Sequence, residues 1–225
     1  MATVNRPAAC LSWSSGKDCA FALHTAREQG EVEVTRLLTT VNAHFDRVAM
    51  HGTRVEILRL QAAAVGLPLT EVPLPWPCSN NAYEALMAEA TATLVADGIR
   101  DMVFGDLHLA DIRAYRDDRL AVAGMSAHYP LWRRPSDQLA HEMLEAGVEA
   151  RIATVDLSKL DASFAGRSWN AAFLTDLPCG IDPCGENGEF HTCVTDGPAF
   201  TRPLRIVSGE TVIRDGFAYA DLLPV

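Results

Sequence analysis

Along the first half of the chain, short apolar runs alternate with longer segments in which apolar residues recur at helical spacing. The runs Ala9–Trp13, Val34–Val41, Leu69–Leu74 and Met102–Phe104 have the length and the valine, leucine and threonine content of strands, and a further strand is predicted near Val148–Val155. Between the first four, Cys19–Gln29, Thr53–Val65, Asn81–Ala96 and Ile112–Ala123 carry apolar residues three and four apart, which predicts helices. Gly30, Gly66, Gly98 and Gly124 each follow one of these stretches, where a left-handed residue closes the last turn. This alternation predicts an α/β protein with a parallel sheet and helices on both faces. The proline-rich PLPWPCSNN, Pro73–Asn81, is expected to leave the sheet as an extended loop, with the next helix starting at Ser79 or Asn80. After about Gly124 the pattern changes: Tyr129–Arg134 is aromatic and basic, Pro178–Gly188 is dense in glycine, proline and acid, and short strand-like pieces follow Phe200. A boundary is therefore expected at 125, separating residues 1–125 from a smaller α+β unit, 126–225.

Composition narrows the choices. The chain has 225 residues, 48% of them hydrophobic, enough for a sizeable core, and a formal net charge of -10, which argues against a nucleic-acid groove built on clustered basic side chains. Neither a leader-like start nor an apolar run long enough to span a bilayer is seen, so a cytoplasmic protein without a membrane partner is expected. The six cysteines, at 10, 19, 78, 179, 184 and 193, form no CxxC pair and are expected to be free thiols. Metal binding through Cys184, His191 and Cys193 is the lesser reading. The apolar tail Phe217–Val225 offers a surface for pairing into a homodimer.

Only Lys17 and Lys159 are lysines, and Lys17 lies in LSWSSGKDCA, directly after a predicted strand and before a helix. A small-residue turn there lets backbone N–H groups approach an anion, since a helix start leaves donors unpaired and carries partial positive charge. Lys17 adds a mobile cation. The P-loop pattern GxxxxGK[ST] is not met. A plain strand-to-helix turn, with Lys17 solvated and Asp18 capping the helix, is the alternative. The loop Ser14-Ser15-Gly16-Lys17-Asp18-Cys19 resembles the SGGKDS loop of ATP pyrophosphatases, enzymes that split ATP between its α and β phosphates. It departs from that loop at Ser15, which replaces a glycine, and at Cys19, which replaces a serine. Ser15 satisfies the turn if its position does not demand positive φ. Cys19 is the weaker donor.

Two further segments are unusual. In FGDLHLADIRAYRDDRL, Phe104–Leu120, Gly105 and Asp106 fall at the carboxyl end of a predicted strand, where open parallel sheets place ligands. Asp111, Arg113 and Arg116 open the next helix, and for Arg116–Arg119 a solvated charged face is the simpler reading. In DPCGENGEFHTCV, Asp182–Val194, two carboxylates, an asparagine and a histidine fall within six residues. Such a group could bind Mg2+, orient ammonia or act as a general base, the alternative being an acidic surface hairpin.

The segments WSSGKD, TTVN at Thr39–Asn42, MHGTR at Met50–Arg54, GDLHLADIRAYR, PLW at Pro130–Trp132 and GENGEFHT at Gly185–Thr192 occur in the order found in the diphthine-ammonia ligase family, and by this resemblance the chain is identified as a member. The resemblance implies a Rossmann-related ATP-binding domain over 1–125 and a substrate domain over 126–225. It further implies ATP with Mg2+, ammonia and a carboxylate acceptor activated as an acyl-adenylate with release of pyrophosphate. Ser14, Ser15, Gly16, Lys17, Asp18 and Cys19 would then hold phosphates, with Asp18 near the metal. Thr39, Thr40, Val41 and Gly105 would frame adenosine, and His51 and Arg54 would touch the α-phosphate or substrate. Glu186, Asn187, Glu189 and His191 would line the acceptor and ammonia site, with Asp106, Asp111, Arg113 and Trp132 shaping it. An arginine-rich, alanine-rich composition suggests a bacterial source, for which the acceptor would be something other than diphthine. Sulfur transfer through Cys179, Cys184 or Cys193, and non-catalytic nucleotide binding, are the other readings. Trp13, Trp76 and Trp169 are expected to be packing residues, and His24, His44, His108, His128 and His141 carry no assigned role.

Overall fold

The computed structural model describes residues 6–225. Five parallel strands form the first sheet: β1 (Ala8–Ser12), β2 (Glu33–Asn42), β4 (Leu69–Leu74), β5 (Asp101–Val103) and β6 (Ser126–His128), in spatial order β4-β2-β1-β5-β6. The short β3 (Arg47–Val48) pairs antiparallel with the end of β2. Helices α1 (Lys17–Gln29), α2 (Val55–Val65), α3 (Asn80–Ala96) and α4 (Ala110–Val122) connect these strands. All four predicted helices and the expected strands are present. Gly30, Gly66, Gly98 and Gly124 have positive φ, and Ser79 caps α3 by accepting from the Ala82 N–H.

The predicted exit of the chain at Pro73 comes too early. Pro73 and Leu74 still pair with Val41 and Asn42. Because β4 is an edge strand, the donor that proline lacks costs no ladder bond there. The expected boundary near 125 falls between α4 and β6, and β6 adds to the first sheet.

The second sheet is antiparallel, built from β7 (Glu149–Asp156), β8 (Ser168–Trp169), β9 (Phe190–Asp196), β10 (Ile206–Arg214) and β11 (Phe217–Pro224), with α5 (Ser136–Glu145) before it and α6 (Ala171–Asp176) after β8. Side chains alternate along β1: Leu11 faces one core and Cys10 the other. The first core joins α1, α2, α5, β7 and β9, and the second packs α3 and α4 on the opposite face. Of the tail Phe217–Val225, expected to offer an exposed pairing surface, Phe217–Pro224 alternates buried and half-buried residues because β11 lies between β10 and β7, and Val225 is exposed. Among the described residues no helix is long and apolar enough to cross a membrane.

Candidate functional site

The chain order of the parallel strands reverses between β1 and β5, and ligands in open α/β sheets bind beyond the carboxyl ends at such a switch point. The loops after these strands carry Ser14–Gly16 and Phe104–Leu109, and they touch. A Cβ on Gly105 would lie 2.9 Å from both the Asp18 carbonyl carbon and the Cys19 nitrogen. Gly105, expected to frame adenosine, thus packs directly on the first turn of α1, an approach that no larger residue allows.

Ser15 has φ 69°, so this position does demand the left-handed region, and the condition under which serine would simply replace glycine is not met. Three hydrogen bonds hold it there: its hydroxyl donates to Thr53 Oγ1 (2.8 Å), and its carbonyl accepts from Gln61 Nε2 (3.1 Å) and from the Val194 N–H (2.9 Å). Gln61, fully buried, also accepts from Trp13 Nε1 (3.0 Å) and donates to the Val194 carbonyl (2.7 Å). Sequence reasoning missed Gln61. Its signal is an uncharged polar residue within the apolar stripe of α2, between Leu58 and Ala62.

Lys17 is buried rather than solvated. Its ammonium donates to both Asp18 carboxylate oxygens at 2.9 Å and to the Cys184 carbonyl, and lies 5.4 Å from the Trp169 ring and 5.7 Å from the Phe190 ring. Trp169, read as packing alone, thus faces the loop cation. Burial alone would pull the Lys17 ammonium down, but the charges of Asp18 and its neighbours carry it above its ordinary value. The Lys17 N–H donates to Thr192 Oγ1 (3.0 Å), so one amide of the helix start is occupied by a hydroxyl from β9.

Cys19 faces the core: its thiol, expected among the phosphate ligands, donates to the Gly16 carbonyl (3.0 Å), and burial pushes it up to about 11. Ser14 lies half-buried beside it. Thr39 donates to the Trp13 carbonyl (2.6 Å) and Val41 is buried in the core, so both fix the β1 exit instead of presenting side chains to a nucleoside, while Thr40 is half-buried. Arg54 is likewise committed elsewhere, in a two-point pair with Asp221 (2.8 and 2.6 Å) that Arg47 joins at 2.9 Å.

The Gly185–Thr192 segment closes over the loop from the second sheet. Glu186 Oε1 accepts from the Leu107 N–H (2.8 Å) and the His108 N–H (3.4 Å), which gives His108 a place the sequence did not. Burial, followed by the nearby charges of Asp18 and Asp106, raises Glu186 to about 7 even though those two amides oppose the rise. Glu189 is buried, with Oε1 accepting from Asp182 N–H (3.2 Å) and Asn187 Nδ2 (3.1 Å) and with Oε2 unpartnered. His191 and His51 meet with ring centroids 4.5 Å apart, and His51 Nδ1 lies 3.3 Å from the Thr192 carbonyl. Burial first, then neighbouring positive charge, depresses His51 to about 4 and His191 to about 3, so both imidazoles are neutral at pH 7.

On the β5 side, Asp106 pairs with Arg116 (3.2 Å), whose guanidinium stacks on Phe104 at 4.4 Å; Arg116 is therefore not a freely solvated charge. Burial lifts the Asp106 carboxyl above its usual range against the pull of Arg116. Arg113 lies against both Tyr129 (4.4 Å) and Trp132 (4.7 Å), while Asp111 is exposed at the start of α4. All six cysteines are free, and burial pushes Cys184 and Cys193 up to about 12 while Cys179 is exposed. Among the described residues no three His, Cys, Asp or Glu side chains converge on a metal position. Asp18, the loop carboxylate, fits a magnesium ion only as a single protein ligand, with phosphate and water supplying the remainder.

A parallel sheet of this order, with a small-residue loop and buried lysine at its switch point, defines an α/β protein of the Rossmann-like class. The family models described as the diphthamide synthase N-terminal and C-terminal domains match residues 7–121 and 135–222, and the chain belongs to this family. Among curated relatives, it is 32% identical over 95 residues to the diphthine--ammonia ligase of Homo sapiens, covering 40% of this chain and 36% of that one. It is 33% identical over 96 residues to the diphthine--ammonia ligase of Danio rerio, covering 40% and 37%. The match to the enzyme of the same name from Schizosaccharomyces pombe is 28% over 86 residues and covers only 14% of that relative. The chain thus matches little more than a third of the animal relatives' length.

Proposed function

We propose that the chain is an ATP-dependent ligase that activates a carboxylate as its acyl-adenylate and transfers the acyl group to ammonia. The observation that carries this reading is one seam: the Ser15–Lys17 loop lies against Thr192–Val194 through bonds between residues up to 175 positions apart, so the phosphate loop and the Glu186–His191 segment form one site. Residues 1–125 would supply most of the nucleotide side and 126–225 most of the acceptor side.

In the first step a carboxylate oxygen attacks the α-phosphorus, and the bond between the α-phosphorus and its bridging oxygen breaks, releasing pyrophosphate. Lys17 supplies the charge that accompanies the leaving group, once a phosphate replaces the Asp18 and Cys184 oxygens around its ammonium. Magnesium would neutralise phosphate charge beside Asp18. In the second step the ammonia nitrogen attacks the acyl carbon, AMP departs with the bridging oxygen, and the nitrogen gives up a proton. Glu186, half ionised near pH 7, is suited to accept that proton, and the neutral His51 and His191 avoid repelling an incoming cation. Burial and raised pKa of Cys184 and Cys193 count against sulfur transfer through either.

The test is mass analysis of products from ATP, Mg2+, ammonium and a panel of carboxylates, including diphthine. Acceptor-dependent AMP and pyrophosphate support the proposal. ADP with phosphate would overturn it, and nucleotide binding without turnover across the panel would favour a sensor.

A further inference from the structure

Strand β10 forms one border of the second sheet. It pairs with β11 on one side and, among the described residues, with no strand on the other. Eight of its nine residues are exposed, and Val207, Val212 and Ile213 stand 45%, 43% and 63% open. Ile206–Arg214 contains no lysine or proline, two of the devices that guard an edge strand; its guards are the charges of Glu210 and Arg214 and one bulge. A bulge between Ser208 and Thr211 holds Gly209, where a Cβ would lie 2.9 Å from the Asp221 carbonyl oxygen, and Glu210; from Thr211 to Arg214 the strand runs in regular register with Phe217–Ala220.

Two charged residues lie on this strand, Glu210 and Arg214, and among the described residues neither forms an ion pair within the chain. Arg214 stacks on Phe45, its guanidinium 5.3 Å from the ring centre. We infer that the free edge of β10 pairs antiparallel with β10 of a second copy about a two-fold axis at Val212. In that register Glu210 faces Arg214 of the second copy, Arg214 faces Glu210, Thr211 faces Ile213 and Val212 faces itself. Both ion pairs and the three exposed β-branched contacts are then satisfied by symmetry, as an isologous interface requires. A foreign strand would have to reproduce the same charge order, which β10 already carries for itself. Two five-stranded sheets would join into one, leaving neither β10 edge open. The pairing is independent of the reaction proposed above.

Sedimentation velocity over a concentration series tests it. The wild type is expected at about twice the 24.4 kDa chain mass at micromolar concentration. Glu210→Arg and Arg214→Glu each place like charges opposite one another and should weaken association about tenfold or more, whereas the double swap should restore it. Circular dichroism confirms that each variant folds. A wild type that stays monomeric at about 100 µM, single swaps that dimerise as the wild type does, or a folded double swap that stays monomeric would each overturn the inference.

Discussion

Ser15 shows how one residue can carry both a strain and its compensation. Glycine at this position would relax a backbone held at φ 69° but lose the bond to Thr53, each worth roughly 1 kcal/mol, so Ser15→Gly should leave urea stability nearly unchanged. Ser15→Ala keeps the strain and drops the bond, and should cost about 1–2 kcal/mol. Gln61→Met should cost more, about 3 kcal/mol, because it strands the Trp13 indole N–H and takes the amide donor from the Val194 and Ser15 carbonyls, the latter keeping only the Val194 N–H. Acid sensitivity is set by the buried titratable groups. His51 and His191, depressed to about 4 and 3, lose stability as pH falls below the ordinary 6.5, because the unfolded chain takes up those protons first. Glu186, raised to about 7, acts oppositely: its contribution is complete below about 4.5 and is lost as pH climbs to about 7. Between 4.5 and 6.5 the two histidines make stability rise with pH, opposed by Glu186 and by the likewise raised Asp106. His191→Gln should flatten that slope in thermal melts. If Glu186 is the base, turnover should climb through about pH 7, and Glu186→Gln should remove that rise.

At the level of elements, the site depends on loops pressed against a helix start. Gly105→Ala would push the β5 loop off the Asp18–Cys19 peptide, and it should lower stability by about 1–3 kcal/mol and raise the KM for ATP by more than it lowers kcat. Thr192→Val removes the hydroxyl that accepts from the Lys17 N–H while keeping the shape of β9. The freed amide would then be open to a phosphate oxygen. Calorimetry should show ATP binding retained within about threefold despite a melting temperature lower by a few degrees, whereas loss of all binding would mean that Thr192 itself holds the nucleotide.

Across the whole molecule, the two sheets share one core, since Leu11, Leu23, Leu139, Ile152, Trp169 and Val194 belong to a single buried cluster. The Arg47–Asp221–Arg54 group ties β3 and the start of α2 to β11, and the Arg54 bonds hold the Asp221 carboxyl below its usual range. Unfolding should therefore be a single cooperative transition by both fluorescence and far-UV signals, and a fragment ending at 125, lacking β6 and β9, should not fold by itself. Asp221→Asn should cost about 1 kcal/mol, less at high salt, because the group is partly open to water.

Strand, helix and helix-stop positions in the first half were legible because periodicity and glycine act locally, and the loop at Ser14–Cys19 stood out for the same reason. Beyond residue 125 the same reading found β7 but not α5, β8 or β9, whose short runs acquire their meaning from partners far along the chain. Side-chain roles divided in the same way. The sequence alone determined where the small-residue loop with its lysine and the carboxylate-rich Glu186–His191 turn fall. Only the tertiary structure decided that Cys19, Thr39 and Arg54 turn to packing or pairing, and that Gln61 and Thr192 hold the loop. A hydrogen bond between positions such as Lys17 and Thr192 leaves no periodic mark in either segment, since its geometry exists only after the two sheets have packed.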